Sequence, residues 1–282
     1  SSRRSPHIAV ITNIFPDHLN RYRSLRHYES SKAGIFRFQG RRDYLFINKD
    51  DALLKKLSKS ARSRRILVDE KRTLRPWQSI VERKLWPHQR VSTALAVAVG
   101  RHLGVSRGVV ANVLRRTRGL PGRLEVVRKV GGVTFVNDTT ATNPGAAIAA
   151  LKAISARKYG GPPEKFGRGS SHRDDIILIA GGSDKKLPSL EFARAIVKFA
   201  KAVIFLPGKA TENIKSEIRN PKSETNPTPK ILKVYDARTM VEAVKKAYAA
   251  AQRGDTVLLS PGAASFGLFQ NEFDRGEQFV KA

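Results

Sequence analysis

Asp17 and His18 stand side by side in the run Asn13 to Tyr22, just after the alternating stretch His7 to Thr12, and Lys32 follows one helix-length later. A carboxylate and a neutral imidazole nitrogen suit a hard divalent cation. A lysine amine joins such a set only when it is converted to an anion, for example a carbamate formed with CO₂. On residue types alone, His18 is the metal-ligand candidate and Lys32 reads as a surface lysine.

Three other polar loops follow apolar runs: Asn137 to Asn143, Gly181 to Lys186, and Ser260 to Ser265. In the last, no large side chain lies between Gly262 and Ala264, so backbone N–H groups are open to a ligand. A helix read directly after it would turn its positive end toward an anion. Any strand-to-helix turn in an α/β protein shares this pattern. Specificity must come from the three loops acting together.

The elements that position these residues alternate along the chain. The first region reads as strand His7–Thr12, a helical segment from Ser24 to Phe38 carrying Lys32, strand Asp43–Asn48, helix Asp51–Ser58 and strand Arg65–Val68. Helical stretches at Pro87–Leu103 and Ser106–Thr117 complete it. The Gly/Pro cluster Arg118 to Glu125 marks a boundary, giving domains 1–118 and 119–282. Beyond it, strands at Val133–Val136, Ile176–Ala180, Ala202–Leu206, Ile231–Tyr235 and Thr256–Leu259 alternate with helices at Pro144–Ile154, Pro188–Ala200, near Thr211, Arg238–Gln252 and after the last loop. Repeated β-α units predict a parallel sheet covered by helices on both faces, with ligands beyond the carboxyl ends of its strands. Asn143 and Pro144 read as an N-cap followed by proline at the first helical position. Arg157–Asp174 and the degenerate repeat Lys215–Pro227 read as inserted mobile loops.

The 282 residues, 40% of them hydrophobic, suffice for two ordinary cores. No apolar run approaches the roughly 20 residues that cross a bilayer, and there is no signal-peptide pattern. The absence of cysteine excludes disulfides and thiolate metal sites and fits a cytoplasmic protein. The net charge of +29 falls mostly within residues 1–130. Its arginines are scattered, neither set in one block nor interleaved with aromatics, so a solvated basic surface is favoured over a nucleic-acid interface.

Asn13-Ile-Phe-Pro-Asp-His-Leu-Asn-Arg-Tyr22 with Lys32 resembles the central domain of the Mur ligases, ATP-dependent amide-forming enzymes of peptidoglycan precursor synthesis. Gly119-Leu-Pro-Gly-Arg-Leu-Glu125, Phe135-Val-Asn-Asp-Thr-Thr-Ala-Thr-Asn143, Ser260-Pro-Gly-Ala-Ala-Ser-Phe266 and Asp274-Arg-Gly276 are similar to the D-glutamate-adding branch of that family. The resemblance implies an α/β fold, with part of a central nucleotide-binding domain followed by a Rossmann-like parallel-sheet domain. It implies that His18 binds Mg²⁺ and that Lys32 is a carbamylated lysine of the metal site. Arg123 and Asp138 would contact ATP, Gln89 would lie at the adenine-contacting motif, and Thr142, Lys185, Ser265 and Phe266 would surround D-glutamate. Lys32, His18 and Lys185 are then the catalytic set. The implied reaction is phosphorylation of a carboxylate of UDP-N-acetylmuramoyl-L-alanine by ATP to an acyl phosphate, which the D-glutamate amine attacks. The implied protein is a monomer with no membrane partner.

Four positions in three motifs depart from the family pattern. Gln89 and Ser92 replace the asparagines of His-Asn-x-x-Asn, Gly122 replaces a histidine, and Thr140 replaces a lysine. No Gly-x-x-x-x-Gly-Lys-[Ser/Thr] phosphate loop occurs, the first residue is Ser1, and Met240 is the only methionine. The expectation from these features is a piece of the ligase, lacking the phosphate loop and the UDP-binding domain before it and inactive by itself. The alternatives are another amino-acid ligase of the Mur or folylpolyglutamate type, and a basic nucleic-acid-binding derivative without catalysis.

Overall fold

The computed structural model describes residues 4–14, 22–117, 119–156, 176–219 and 232–282. The chain forms two compact units, Ser1–Arg118 and Gly119–Ala282.

In the first unit, β1 (Ile8–Ile11), β2 (Tyr44–Asn48) and β3 (Arg64–Val68) form a parallel sheet in the order β1-β2-β3, with Leu45 opposite Ala9 and Arg65. Helices α1 (Leu25–Ala33) and α2 (Ala52–Leu57) precede and follow β2. After β3 come α3 (Glu70–Leu74), α4 (Gln78–Lys84), α5 (Arg90–His102) and α6 (Arg107–Arg116). Alternation along β2 serves two cores. Leu45 and Ile47 pack with Tyr28, Phe36 and Leu54, and Phe46 packs with Trp77, Leu95 and Val110 on the other side.

Two local readings change here. The helix expected from Ser24 to Phe38 is capped by the Ser24 hydroxyl, which accepts from the His27 amide, but it stops at Ala33 before Gly34. The turn that follows buries Phe36 and leaves Ile35 and Phe38 exposed, since glycine is a weak helix former. The two short helices between Asp69 and Lys84 carry no long apolar periodicity. Asp69 starts the first by accepting from the Arg72 amide.

The second unit runs β4 (Glu125–Val130), β5 (Val133–Asn137), α7 (Pro144–Ser155), β6 (Ile176–Gly181), α8 (Leu190–Phe199), β7 (Ala202–Leu206) and α9 (Lys209–Arg219). It ends with β8 (Lys233–Asp236), α10 (Met240–Ala250), β9 (Thr256–Leu259) and α11 (Glu272–Lys281). Its six-stranded sheet has the order β4-β5-β9-β6-β7-β8. All pairs are parallel except β4 with β5, an antiparallel edge hairpin through Gly131 and Gly132. This edge strand departs from the purely parallel expectation. The half-polar sequence of β4 gives no buried-strand signal, and its side chains are only partly covered.

The central strands β5, β9, β6 and β7 are buried along their whole lengths, as strands covered on both faces must be. Ile177, Ile179, Val257 and Leu259 face Met240, Ala243 and Ala247 of α10 and Phe279 of α11. Each such aliphatic side chain stabilises the fold by about 1.5–3 kcal/mol. Of the two segments read as mobile loops, Lys215–Arg219 instead belongs to α9, whose buried Thr211 and Ile214 anchor it. Residues 157–175 and 220–231 lie outside the described set. No helix among the described residues is long and apolar enough to cross a membrane.

Candidate active site

The strand order β5-β9-β6 sets the loops that leave these strands next to one another at the carboxyl edge of the sheet. Main-chain hydrogen bonds lock them. The Asp138 amide donates to Leu259 O at 2.8 Å, Ser260 N to Ile179 O at 3.2 Å, Gly181 N to Pro261 O at 2.9 Å and Gly262 N to Ala141 O at 2.9 Å. Ser183 and Ala264 bond each other in both directions. Gly262 has φ 64°, and a Cβ there would meet the Phe192 ring at 2.3 Å, so glycine is needed both for the turn and for the contact.

The first of these loops feeds α7 through Asn143, whose Oδ1 accepts from the Ala146 amide at 2.9 Å, with Pro144 opening the helix. Beside this helix start, Lys185 Nζ donates to Thr142 Oγ1 at 3.1 Å. The two residues line one cleft together with Pro144, Asn213, Gly262 and Ala263. An ammonium group, a hydroxyl and the N-terminal end of a 12-residue helix converge there, which suits a small anion. On the rim, Asp184 accepts from Asn213 Nδ2 at 3.2 Å and from the Lys186 amide at 2.7 Å, which fixes the loop that carries Lys185.

Asp138, in the loop after β5, is 7% exposed. Its Oδ1 accepts from the Leu124 amide at 3.1 Å and its Oδ2 from the Ser260 hydroxyl at 2.8 Å. Burial pushes its pKa up to about 7, against the opposing pull of these bonds and of Arg123. Arg123 itself is exposed, on the turn that Gly122 joins to Thr140 through two bonds to the Gly122 carbonyl. An exposed guanidinium so placed fits a phosphate group.

The remaining residues singled out from the sequence are placed differently. Ser265 is buried and Phe266 is 66% exposed; neither lines the cleft, although the Phe266 carbonyl accepts from the Ser183 hydroxyl. The helix expected directly after Ser265 starts only at Glu272, capped by Asn271, so its N-terminus does not follow Gly262–Ala264. The features at the cleft that suit an anion are instead Lys185 and the start of α7. In the first unit, Gln89 Oε1 accepts from the Trp86 amide at 3.1 Å, and Lys32 Nζ stands over the Tyr28 ring, 5.3 Å from its centroid. Asp17 and His18 lie outside the described residues. Among the described residues, no three His, Asp or Glu side chains gather as metal donors.

Arg275 carried no assigned role in the sequence, yet it is wholly buried. Its Nε donates to Thr139 Oγ1 at 3.1 Å, one terminal nitrogen to Ala263 O at 3.1 Å and the other to Thr139 O at 2.7 Å. Burial lowers its pKa to about 10, so it stays charged at neutral pH. The signal was present in the pattern: Arg275 shares the inward stripe of α11 with Gly276 and Phe279, where an apolar residue is the norm.

Residues 122–262 match the family model described as Mur ligase, glutamate ligase domain, and residues 1–91 match the Mur ligase middle domain. The chain belongs to the Mur ligase family. The UDP-N-acetylmuramoylalanine--D-glutamate ligase of Thermoanaerobacter sp. (strain X514) is 32% identical over 297 residues, covering 98% of this chain and 60% of that protein. The same-named ligase of Pelotomaculum thermopropionicum is 33% identical over 294 residues, covering 97% and 59%. The chain thus spans about 60% of the length of the curated relatives it matches. Among solved Mur ligase structures, MurF from Thermotoga maritima in complex with ADP superposes with a TM-score of 0.64 at 16% identity, covering 98% of this chain and 61% of that one. The bifunctional folylpolyglutamate synthase/dihydrofolate synthase from Yersinia pestis, complexed with AMPPNP and Mn ion, gives 0.59 at 17%, covering 91% and 58%. These likenesses show the shared Mur ligase fold.

Proposed function

We propose that this chain forms the D-glutamate-contacting part, and some of the nucleotide-contacting part, of an ATP-dependent ligase that joins D-glutamate to UDP-N-acetylmuramoyl-L-alanine. The observation that carries the reading is the meeting of Lys185 and Thr142, from two different loops, in one cleft at the start of α7. An amino acid with a second carboxylate needs two anion-binding features as well as room for its amine. Lys185 offers one and the α7 N-terminus the other.

Amide formation from a carboxylate needs activation, and ATP supplies the phosphoryl group that makes the carboxyl carbon electrophilic. Arg123 would hold the phosphates, and Asp138 keeps the Arg123 turn in place by accepting from the Leu124 amide. The chain's own part in the chemistry is positioning. Lys185 and the helix start fix the carboxylates of the incoming amino acid so that its amine faces the activated carbonyl. Curated relatives that cover nearly the whole chain bear the D-glutamate ligase name, which supports this acceptor over those of the other ligases sharing the fold.

Titration of the chain with D-glutamate, L-glutamate, L-alanine, L-lysine and D-alanyl-D-alanine by calorimetry tests the reading. Heat of binding for D-glutamate, with L-glutamate weaker and the others silent, is expected. Equal binding of all five, or preference for a monocarboxylate, contradicts it.

A further inference from the structure

Arg275 is a charged side chain in a place that packing alone would fill with leucine or methionine. Among the described residues it forms no salt bridge, Glu272 acting on it only through its charge, and its three hydrogen bonds end on neutral oxygens of two loops. Two of these oxygens belong to Thr139, in the loop that carries Thr142. The third is the carbonyl of Ala263, which lines the cleft from the loop after β9.

Thr139 is held from both sides, because its hydroxyl accepts from Arg275 and donates to Glu272 O at 2.7 Å. Next along the helix, Gly276 lets α11 lie directly on this loop; a Cβ there would meet Thr139 Cγ2 at 2.7 Å. A guanidinium is planar and rigid, so three bonds made from one fork fix the spacing of their acceptors. Removing a buried charge from such a fork leaves carbonyl oxygens without donors.

We infer that Arg275 is a positioning residue that sets the width of the cleft by holding the Thr139–Thr142 segment at a fixed distance from Gly262–Ala263. The inference deepens the proposed function and rests on it in one respect, namely that the guest of this cleft is D-glutamate. Arg275 itself touches no ligand. It acts through the two loops.

The test compares the chain with R275K and R275M by residue-resolved hydrogen exchange and by D-glutamate titration. Lysine keeps the charge but not the fork, and methionine keeps the bulk alone. The amides of Gly262, Ser183 and Ala264 report the loop contacts, and those of Leu178 and Ile204 report the sheet. Expected for R275M is exchange at the loop amides faster by about tenfold or more with the sheet amides unchanged, and D-glutamate affinity lower by about tenfold, the scale of one lost charged hydrogen bond. R275K should fall between the two. Unchanged loop exchange, uniform acceleration across the sheet, or R275K equal to the unaltered chain overturns the inference. Should R275M fail to fold, R275K decides by the same readouts. Failure of the unaltered chain to bind D-glutamate overturns the proposed function instead, and the exchange comparison still decides whether Arg275 holds the loops.

Discussion

The Asp138 carboxylate accepts the Ser260 hydroxyl at 2.8 Å across 122 positions of sequence, while its other oxygen takes the Leu124 amide. One buried acid therefore ties the turn at the start of β4, the loop after β5 and the loop after β9. Its pKa is raised from 3.8 to about 7 because burial outweighs the bonds that favour its charge.

That shift has a sign. Between pH 3.8 and about 7 the folded chain holds a proton on Asp138 that the unfolded chain has released, so this group makes stability fall as pH rises through that window. Asp138→Asn removes the titration and keeps an acceptor for Leu124. Urea unfolding at pH 5 and pH 8 should show a smaller loss of stability with pH in the variant than in the unaltered chain. An identical pH difference in both would refute the assignment.

Lys185→Ala removes the ammonium group that meets Thr142 in the cleft. If the cleft holds D-glutamate as proposed, loss of a charge-assisted contact of about 1.5–3 kcal/mol should lower its affinity by roughly ten- to a hundredfold. Thr142→Val should have a smaller effect in the same direction. Calorimetric titration of both variants checks the order.

Gly276→Ala places a methyl group 2.7 Å from Thr139 Cγ2 and 3.1 Å from Asn137 Nδ2 on an inward helix face. Overpacking of this kind costs about 1–3 kcal/mol, although alanine is the better helix former. A denaturation midpoint at or above that of the unaltered chain would show that α11 has room to move away.

Asp255, almost fully buried before β9, pairs with Lys201 and accepts from the Gln252 amide at 2.5 Å. Asp255→Ala leaves a partly buried ammonium group and an amide without their acceptor, at a cost of about 3 kcal/mol. The double variant with Lys201→Met should recover part of that loss. Urea unfolding of the three proteins measures it.

Much of the sheet was legible because β5, β6, β7 and β9 are short apolar runs, and buried parallel strands read that way. The cap at Asn143-Pro144 was equally plain, since its chemistry is local. β4, a half-polar edge strand, carries no apolar run to mark it, and the late start of α11 has no local signal because small residues in an extended loop resemble those opening a helix. The ties made by Asp138 and Arg275 join residues more than a hundred positions apart. No local pattern encodes such pairings; only the strand order brings them together. Only the resemblance marks Lys185 and Thr142 in the sequence, and their contact is a property of the fold.

The proposed function places D-glutamate in the cleft between Thr142, Lys185 and Gly262. Amide chemical shifts of the isotope-labelled chain, followed as D-glutamate is added, test it most directly. Saturable shifts are expected at Thr142, Ala146, Lys185 and Gly262, absent in Lys185→Ala and weaker with L-glutamate. Saturable shifts confined to residues elsewhere, or the same response to both enantiomers, would contradict it.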